Sequence, residues 1–262
     1  MGGYTDIDGH PTWIEERGSG SESVLLLHGG LSNGDDLLGS IGDVLAERHR
    51  VIAFDRRGHG RTADTDLPFH YDEMTREAIA VLEHLDAAPA HIVGWSDGGI
   101  IALLLAKQRP ELVRKIVLIG ANFHHEGVVT ADLDPDSPAA AQMVAEYSER
   151  SPDGADHFPV VMGKAFTLFA TEPTMSVDEL RDIAAPALVL VGDDDMIDLR
   201  HTCELYEALP DAQLAVVPGA SHGVPFEKPA DTARLVRDFL LAHGPPVTFM
   251  PVRRSTRRTA DR

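Results

Sequence analysis

The chain is predicted to be an α/β protein: a mostly parallel sheet with helices on both faces and an inserted helical segment. Three observations carry that prediction. Short apolar runs of strand type alternate with segments of helical spacing along most of the chain. The pattern Gly-x-Ser-x-Gly, at Gly94-Trp95-Ser96-Asp97-Gly98, stands between one such strand and one such helix. The alternation breaks only once, between Asn122 and about Ala184. Strands that alternate with helices pair in parallel, and burial on both faces makes them near-continuous apolar runs.

In chain order, Tyr4–Glu16 reads as a hairpin on the sheet edge, turning at Asp8-Gly9. Val24–Leu27 is the first core strand and runs into the loop His28-Gly29-Gly30-Leu31-Ser32-Asn33-Gly34. Helical spacing over Leu37–Glu47 leads to the strand Val51–Phe54, and spacing over Asp72–Leu85 leads to the strand His91–Val93. Ile100–Gln108 is apolar on nearly every face in its first turns, as a buried helix would be, and Ile116–Ile119 is the next strand. The break then contributes Pro135, Pro138, Pro152, Pro159 and Pro173, with helical patterns at Ala139–Glu149 and Val160–Phe169. About sixty residues between two core strands far exceed an ordinary loop, so an inserted helical lid over the sheet's C-terminal edge is expected. Its apolar residues Met143, Phe158, Met162, Phe166, Leu168 and Phe169 need something to pack against, or a substrate. Ala187–Val191 and Leu214–Val217 close the strand set, with helices at Thr202–Leu209 and Ala230–Ala242. The expected organisation is a core of residues 1–122 and 185–244, a lid of residues 123–184, and a tail of residues 245–262.

The formal net charge is −19, which argues against nucleic acid and anionic membrane surfaces as partners. The charge is uneven: residues 245–262 carry five arginines and one aspartate, a net of +4. That tail has no helical period and is expected to be disordered, with an anion-binding or self-docking arm as the sharper alternative. Cys203 is the only cysteine, so no disulfide forms within the chain. No apolar stretch is long enough to span a bilayer, and Met1–Asp6 lacks the character of a signal peptide. A cytoplasmic enzyme, monomer or homodimer, is expected.

Strand, sharp turn and helix around Ser96 are the context in which a serine becomes a nucleophile. Gly94 and Gly98 lack the Cβ atoms that would clash where strand and helix crowd together. A serine hydroxyl attacks only when a base takes its proton and a third group orients that base. Both are expected downstream, in the order acid then histidine. Gly192-Asp193-Asp194-Asp195 follows one strand and Pro218-Gly219-Ala220-Ser221-His222-Gly223 follows the next, each where a doubly wound sheet gathers its site. His222 is the expected base. His28 and His59 lie in glycine-rich loops and suit backbone bonding; His124, His125 and His157 fall in the lid, and the remainder read as solvated. Asp195 is the favoured acid, with Asp194 second and Glu126 an outside candidate. No metal site is expected, since the aspartate run lacks the alternating ligands of a hard-cation loop. The tetrahedral intermediate needs backbone N–H donors, which the amides of Asp97 and of Gly30, or the position beside Gly30, would supply. Leu31, Trp95, Phe158, Met162 and Phe166 are the expected substrate contacts, in a site that should be mostly apolar.

Together these residues resemble the α/β-hydrolase superfamily over roughly residues 4–243. Asp55-Arg56-Arg57-Gly58-His59-Gly60-Arg61-Thr62 is similar to the superfamily's Asp-x-Arg-Gly-x-Gly-x-Ser segment, with Thr62 in place of serine; the resemblance makes it a structural turn. Gly94–Ile100 followed by Ile119-Gly120-Ala121-Asn122 is similar to the biphenyl-hydrolase-like esterases, which cleave amino-acid esters. In that group an acid beside the nucleophile helps bind a substrate amine, and Asp97 occupies that position. The alternative is that Asp97 only compensates the dipole of the following helix.

The expected function is cofactor-free hydrolysis of a small ester or lactone by Ser96, His222 and Asp195. Carbon–carbon bond hydrolysis, acyl transfer or perhydrolysis at the same site are the alternatives, as is a ligand receptor built on the same scaffold. Dehalogenase and epoxide-hydrolase chemistry is disfavoured, because those enzymes place an aspartate where Ser96 stands.

Overall fold

The computed structural model describes residues 2–129 and 138–252. The chain opens with an antiparallel hairpin, β1 (Gly2–Ile7) and β2 (His10–Arg17), whose turn residues Asp8 and Gly9 both have positive φ. Next come β3 (Ser23–Leu27), the short helices α1 (Gly34–Leu37) and α2 (Asp43–Ala46), β4 (Arg50–Phe54), α3 (Tyr71–His84) and β5 (Ala90–Trp95). A π segment, Leu38–Gly42, joins α1 to α2 with right-handed helical φ and ψ at both junctions, so the helix expected there forms with a π stretch in its middle. The chain continues through α4 (Asp97–Gln108) and β6 (Val113–Ile119) into an insertion that holds α5 (Pro138–Arg150), α6 (Phe158–Thr171) and α7 (Val177–Arg181). It ends with β7 (Ala187–Asp194), α8 (Leu199–Ala208), β8 (Ala212–Ser221), α9 (Val224–Glu227) and α10 (Pro229–Leu241).

The eight strands form one sheet in the order β1-β2-β4-β3-β5-β6-β7-β8. Strands β4 to β8 and β3 pair in parallel; only the hairpin is antiparallel, joined through β2 to β4. Alternation along each strand divides the core in two. Leu25 and Leu27 face one layer with α3, α4 and α8, while Val24 and Leu26 face the other with α1, α2 and α10. From β3 the chain crosses to β4 on one side and then back to β5 on the other. That reversal opens a crevice at the strands' C-terminal ends, where doubly wound sheets bind ligands.

The insertion is tied to the core by polar contacts as well as apolar ones. The buried Asp64 carboxylate accepts from His157 Nε2 at 2.8 Å and Lys164 Nζ at 2.7 Å. Glu172 accepts from His70 Nδ1 at 2.6 Å and from the Tyr71 amide at 3.0 Å. Residues 245–252 form no helix or strand, and Val247 and Phe249 are exposed; the tail's five arginines lie outside the described residues. No helix among the described residues is long and apolar enough to cross a membrane.

Candidate active site

Ser96 occupies the single residue between β5 and α4, with φ 54° and ψ −120°. The turn is too tight for side chains on its flanks: a Cβ on Gly94 would lie 2.0 Å from Gly98 O. The Ser96 amide donates to Ile119 O at 2.8 Å, which fixes the turn to β6. So held, Ser96 Oγ lies 2.9 Å from His222 Nε2, and His222 Nδ1 lies 2.7 Å from Asp195 Oδ1. The three residues come from the ends of β5, β8 and β7. Asp195 Oδ1 also accepts the Ile197 amide at 2.9 Å, and its side chain is only 1% exposed. Gly120, just past β6, leaves room for the pair: a Cβ there would be 3.0 Å from His222 Nδ1 and 3.2 Å from Asp195 Oδ2.

The other carboxylates do not meet His222. Asp194 is exposed at the end of β7, and the Glu126 side chain is 80% exposed, with His124 its ion-pair partner. Asp193 does what the sequence did not announce: its Oδ1 accepts the amides of Gly219 at 2.7 Å and Ala220 at 3.2 Å, tethering the histidine loop to β7. Glu227 holds the same loop, accepting Ser221 N at 2.6 Å and Ser221 Oγ at 2.7 Å; these bonds lower its pKa.

Trp95, expected as a substrate contact, is engaged with the histidine loop. Its indole N–H donates to His222 O at 2.8 Å, and its ring meets Phe226 edge-on at 4.8 Å. Phe158 is buried against Tyr147, at 5.0 Å between ring centroids, and serves packing. Phe166 is exposed and touches Phe169 edge-on. Met162 is half-buried, and Leu31, with φ 56°, lines a small cavity with His59, Tyr147 and Val161. The residue of the insertion that approaches the candidate oxyanion loop is Phe169: a Cβ on Gly30 would lie 2.6 Å from its Cζ.

Gly30 lies in the loop after β3, and Asp97 begins α4. Among the described residues neither amide has an acceptor, so both N–H groups remain available to a ligand. The Asp97 side chain is buried. Its Oδ1 accepts the Tyr71 hydroxyl at 2.8 Å, and its Oδ2 faces Arg56 Nη2 at 4.0 Å. Burial raises the carboxyl pKa, while Arg56 and Tyr71 act to lower it.

Several histidines expected to be solvated are buried. His49 and His91 lie at the opposite end of the sheet, where they and Glu22 each bring one ligand-type atom within 4.8 Å of the others. Glu22 is already engaged there, by His91 Nε2 at 3.3 Å and Arg114 Nη1 at 3.3 Å. Burial holds His91 down to about 4 and His201 to about 4, the latter stacked on Phe123. His28 and His59 bond backbone atoms as expected, and burial holds His59 near 3.

The alpha/beta hydrolase family profile matches residues 24–235 of the chain. The human serine hydrolase BPHL is 27% identical over 255 residues, covering 89% of this chain and 84% of its own length. A putative carbamate hydrolase, RutD of Variovorax paradoxus, is 30% identical over 263 residues, covering 88% and 96%. Among solved structures, Est816, an N-acyl homoserine lactone degrading enzyme, superposes with a TM-score of 0.74 at 25% identity, covering 90% of this chain and all of its own.

Proposed function

Because the chain belongs to the alpha/beta hydrolase family, we propose that it is a cofactor-independent serine hydrolase that cleaves a small carboxylic ester or lactone through an acyl-enzyme on Ser96. One observation carries this reading: the unbroken line from Ser96 Oγ through both nitrogens of His222 to Asp195. His222 takes the hydroxyl proton as Ser96 Oγ attacks the carbonyl, and Asp195 orients the ring and stabilises the imidazolium that forms. The amides of Gly30 and Asp97 take up the negative charge on the tetrahedral oxygen. The intermediate collapses, the alcohol leaves with the proton from His222, and water repeats the sequence on the acyl group. From a lactone the alcohol stays tethered to the acyl chain, and the second step releases a single hydroxy acid.

The insertion, residues 123–184, acts in this proposal as a lid. Phe169 beside Gly30 and the ties through Asp64 and Glu172 support that role. Leu31, Met162 and Phe169 are the pocket residues that their positions favour; Phe158 and Phe166 are not. RutD is a putative carbamate hydrolase and Est816 degrades N-acyl homoserine lactones, so carbamates and lactones join esters as the substrates to try. Labelling with a fluorophosphonate, followed by p-nitrophenyl esters, lactones and carbamates, tests the proposal. We expect the wild type to be labelled at Ser96 and to turn over esters or lactones, and Ser96→Ala to do neither. Full turnover by Ser96→Ala would refute the assignment.

A further inference from the structure

Arg56 is the largest fully buried side chain among the described residues, and it stands in the turn after β4. A buried guanidinium must find acceptors, and both of its terminal nitrogens find them in the candidate oxyanion loop. Nη1 donates to His28 O at 2.5 Å and Nη2 to Gly29 O at 2.9 Å. Nε is left with no acceptor, so the group sits where the loop requires it rather than where all its donors are satisfied. The Arg56 amide adds a third contact, to His28 Nε2 at 3.2 Å; that makes Nδ1 the protonated nitrogen, which donates to Gly29 O at 2.7 Å.

A trans peptide sets its C=O and N–H antiparallel. Gly29 O and Gly30 N–H belong to one peptide plane. Fixing the carbonyl toward Arg56 therefore directs the Gly30 N–H the opposite way. Hydrogen bonds from a cation also polarise that peptide and make its N–H a better donor. The positive charge has a second use. Asp97 Oδ2 would lie 2.6 Å from a Cβ on Gly30, so a carboxylate borders the position where negative charge develops. Arg56 at 4.0 Å and the Tyr71 hydroxyl compensate it from the buried side.

We infer that Arg56 is the positioning residue of the oxyanion loop, and that Asp97 serves as its buried counter-ion and not as a ligand for a substrate amine. The inference rests on the hydrolase reading above and assigns work to a segment that resemblance alone marks as a structural turn. It also predicts that neutral esters are turned over as well as aminoacyl esters of the same size.

The test is steady-state kinetics on p-nitrophenyl acetate together with inhibition by phenylboronic acid, whose anionic tetrahedral adduct on a serine places a boronate oxygen where the oxyanion forms. In Arg56→Met we expect kcat to fall 10- to 100-fold, KM to stay within threefold, and boronate affinity to fall in parallel with kcat. Arg56→Lys keeps the charge and one donor group and should recover part of both losses; it also carries the test if Arg56→Met does not fold. A folded variant with wild-type kcat, or a loss confined to KM with boronate affinity intact, overturns the inference while leaving the hydrolase reading in place. A wild type that neither turns over esters nor takes the phosphonate overturns both.

Discussion

Replacing Gly30 with alanine should lower kcat about 100-fold while leaving the fold and KM nearly intact. An added Cβ would lie 2.6 Å from Asp97 Oδ2 and 2.6 Å from Phe169 Cζ. Comfortable contact begins near 3.5 Å, so about 0.9 Å must be found on each side. Phe169 can yield, because the contact is the tip of a ring on a half-exposed helix face. Asp97 cannot yield as easily, because Tyr71 holds Oδ1 at 2.8 Å and Arg56 faces Oδ2. The loop therefore retreats instead, carrying the Gly30 amide roughly 1 Å from its place. A donor misplaced by that much forfeits about 10²-fold in rate, or about 2.7 kcal/mol of transition-state stabilisation. The assay is hydrolysis of p-nitrophenyl acetate by Gly30→Ala and wild type, with thermal melts to show that both are folded. A folded variant with kcat within threefold of wild type would refute the donor assignment, and a loss seen only in KM would put the methyl in the substrate pocket.

Asp195→Asn should cost about 10³- to 10⁴-fold in kcat, whereas Asp194→Asn should stay within twofold; comparable losses in the two would break the choice of acid. Trp95→Phe removes the donor to His222 O and should lower kcat about five- to tenfold with KM unchanged, measured on the same ester. Stability should fall steeply with acid, because burial holds His59 near 3 and His91 near 4 against an ordinary value of 6.5. The folded values are depressed, so the unfolded chain binds protons first, and stability is lost as pH drops below about 6.5. Each group accounts for on the order of 3–5 kcal/mol once pH passes below its folded value. Urea midpoints at pH 7, 5.5 and 4.5 should show His91→Gln with a shallower decline than wild type; equal slopes would count against it.

Most of the fold was legible because periodicity is a local property. The strand at Val24–Leu27 and the helix at Asp72–Leu85 announce themselves by which residues are apolar, and both form within a residue or two of the expected bounds. Helices α7 and α9, at five and four residues, are too short to show a period, and the π segment at Leu38–Gly42 leaves no compositional mark. The candidate triad was legible for another reason. A nucleophile, an acid and a base each need a strand-end loop, and strand ends can be read from where apolar runs stop. The aromatic neighbour of Gly30 was not legible, since Phe158 and Phe166 share a helix with Phe169 and only packing decides which of them turns toward Gly30. Nor were the buried histidines, whose burial depends on neighbours far away in the chain.

What escaped the sequence most completely was the layer of contacts behind the site. Trp95 bonds across 127 positions to His222, Asp193 across 26 to Gly219, and Arg56 across 28 to His28. None of these pairs has a spacing that a motif could encode, and each residue has an ordinary local reason to be where it is. Their common feature is physical: each satisfies a backbone group in a loop that also carries a reacting or charge-stabilising atom. Loops are the most mobile parts of a fold, yet the proposed reaction needs three of them held to a fraction of an ångström. A parallel sheet supplies the gathering point but leaves the loops free beyond the last ladder hydrogen bond. The tethers supply the rest, which is why a tryptophan, an aspartate and a buried arginine outside the triad should each register in kcat rather than in KM.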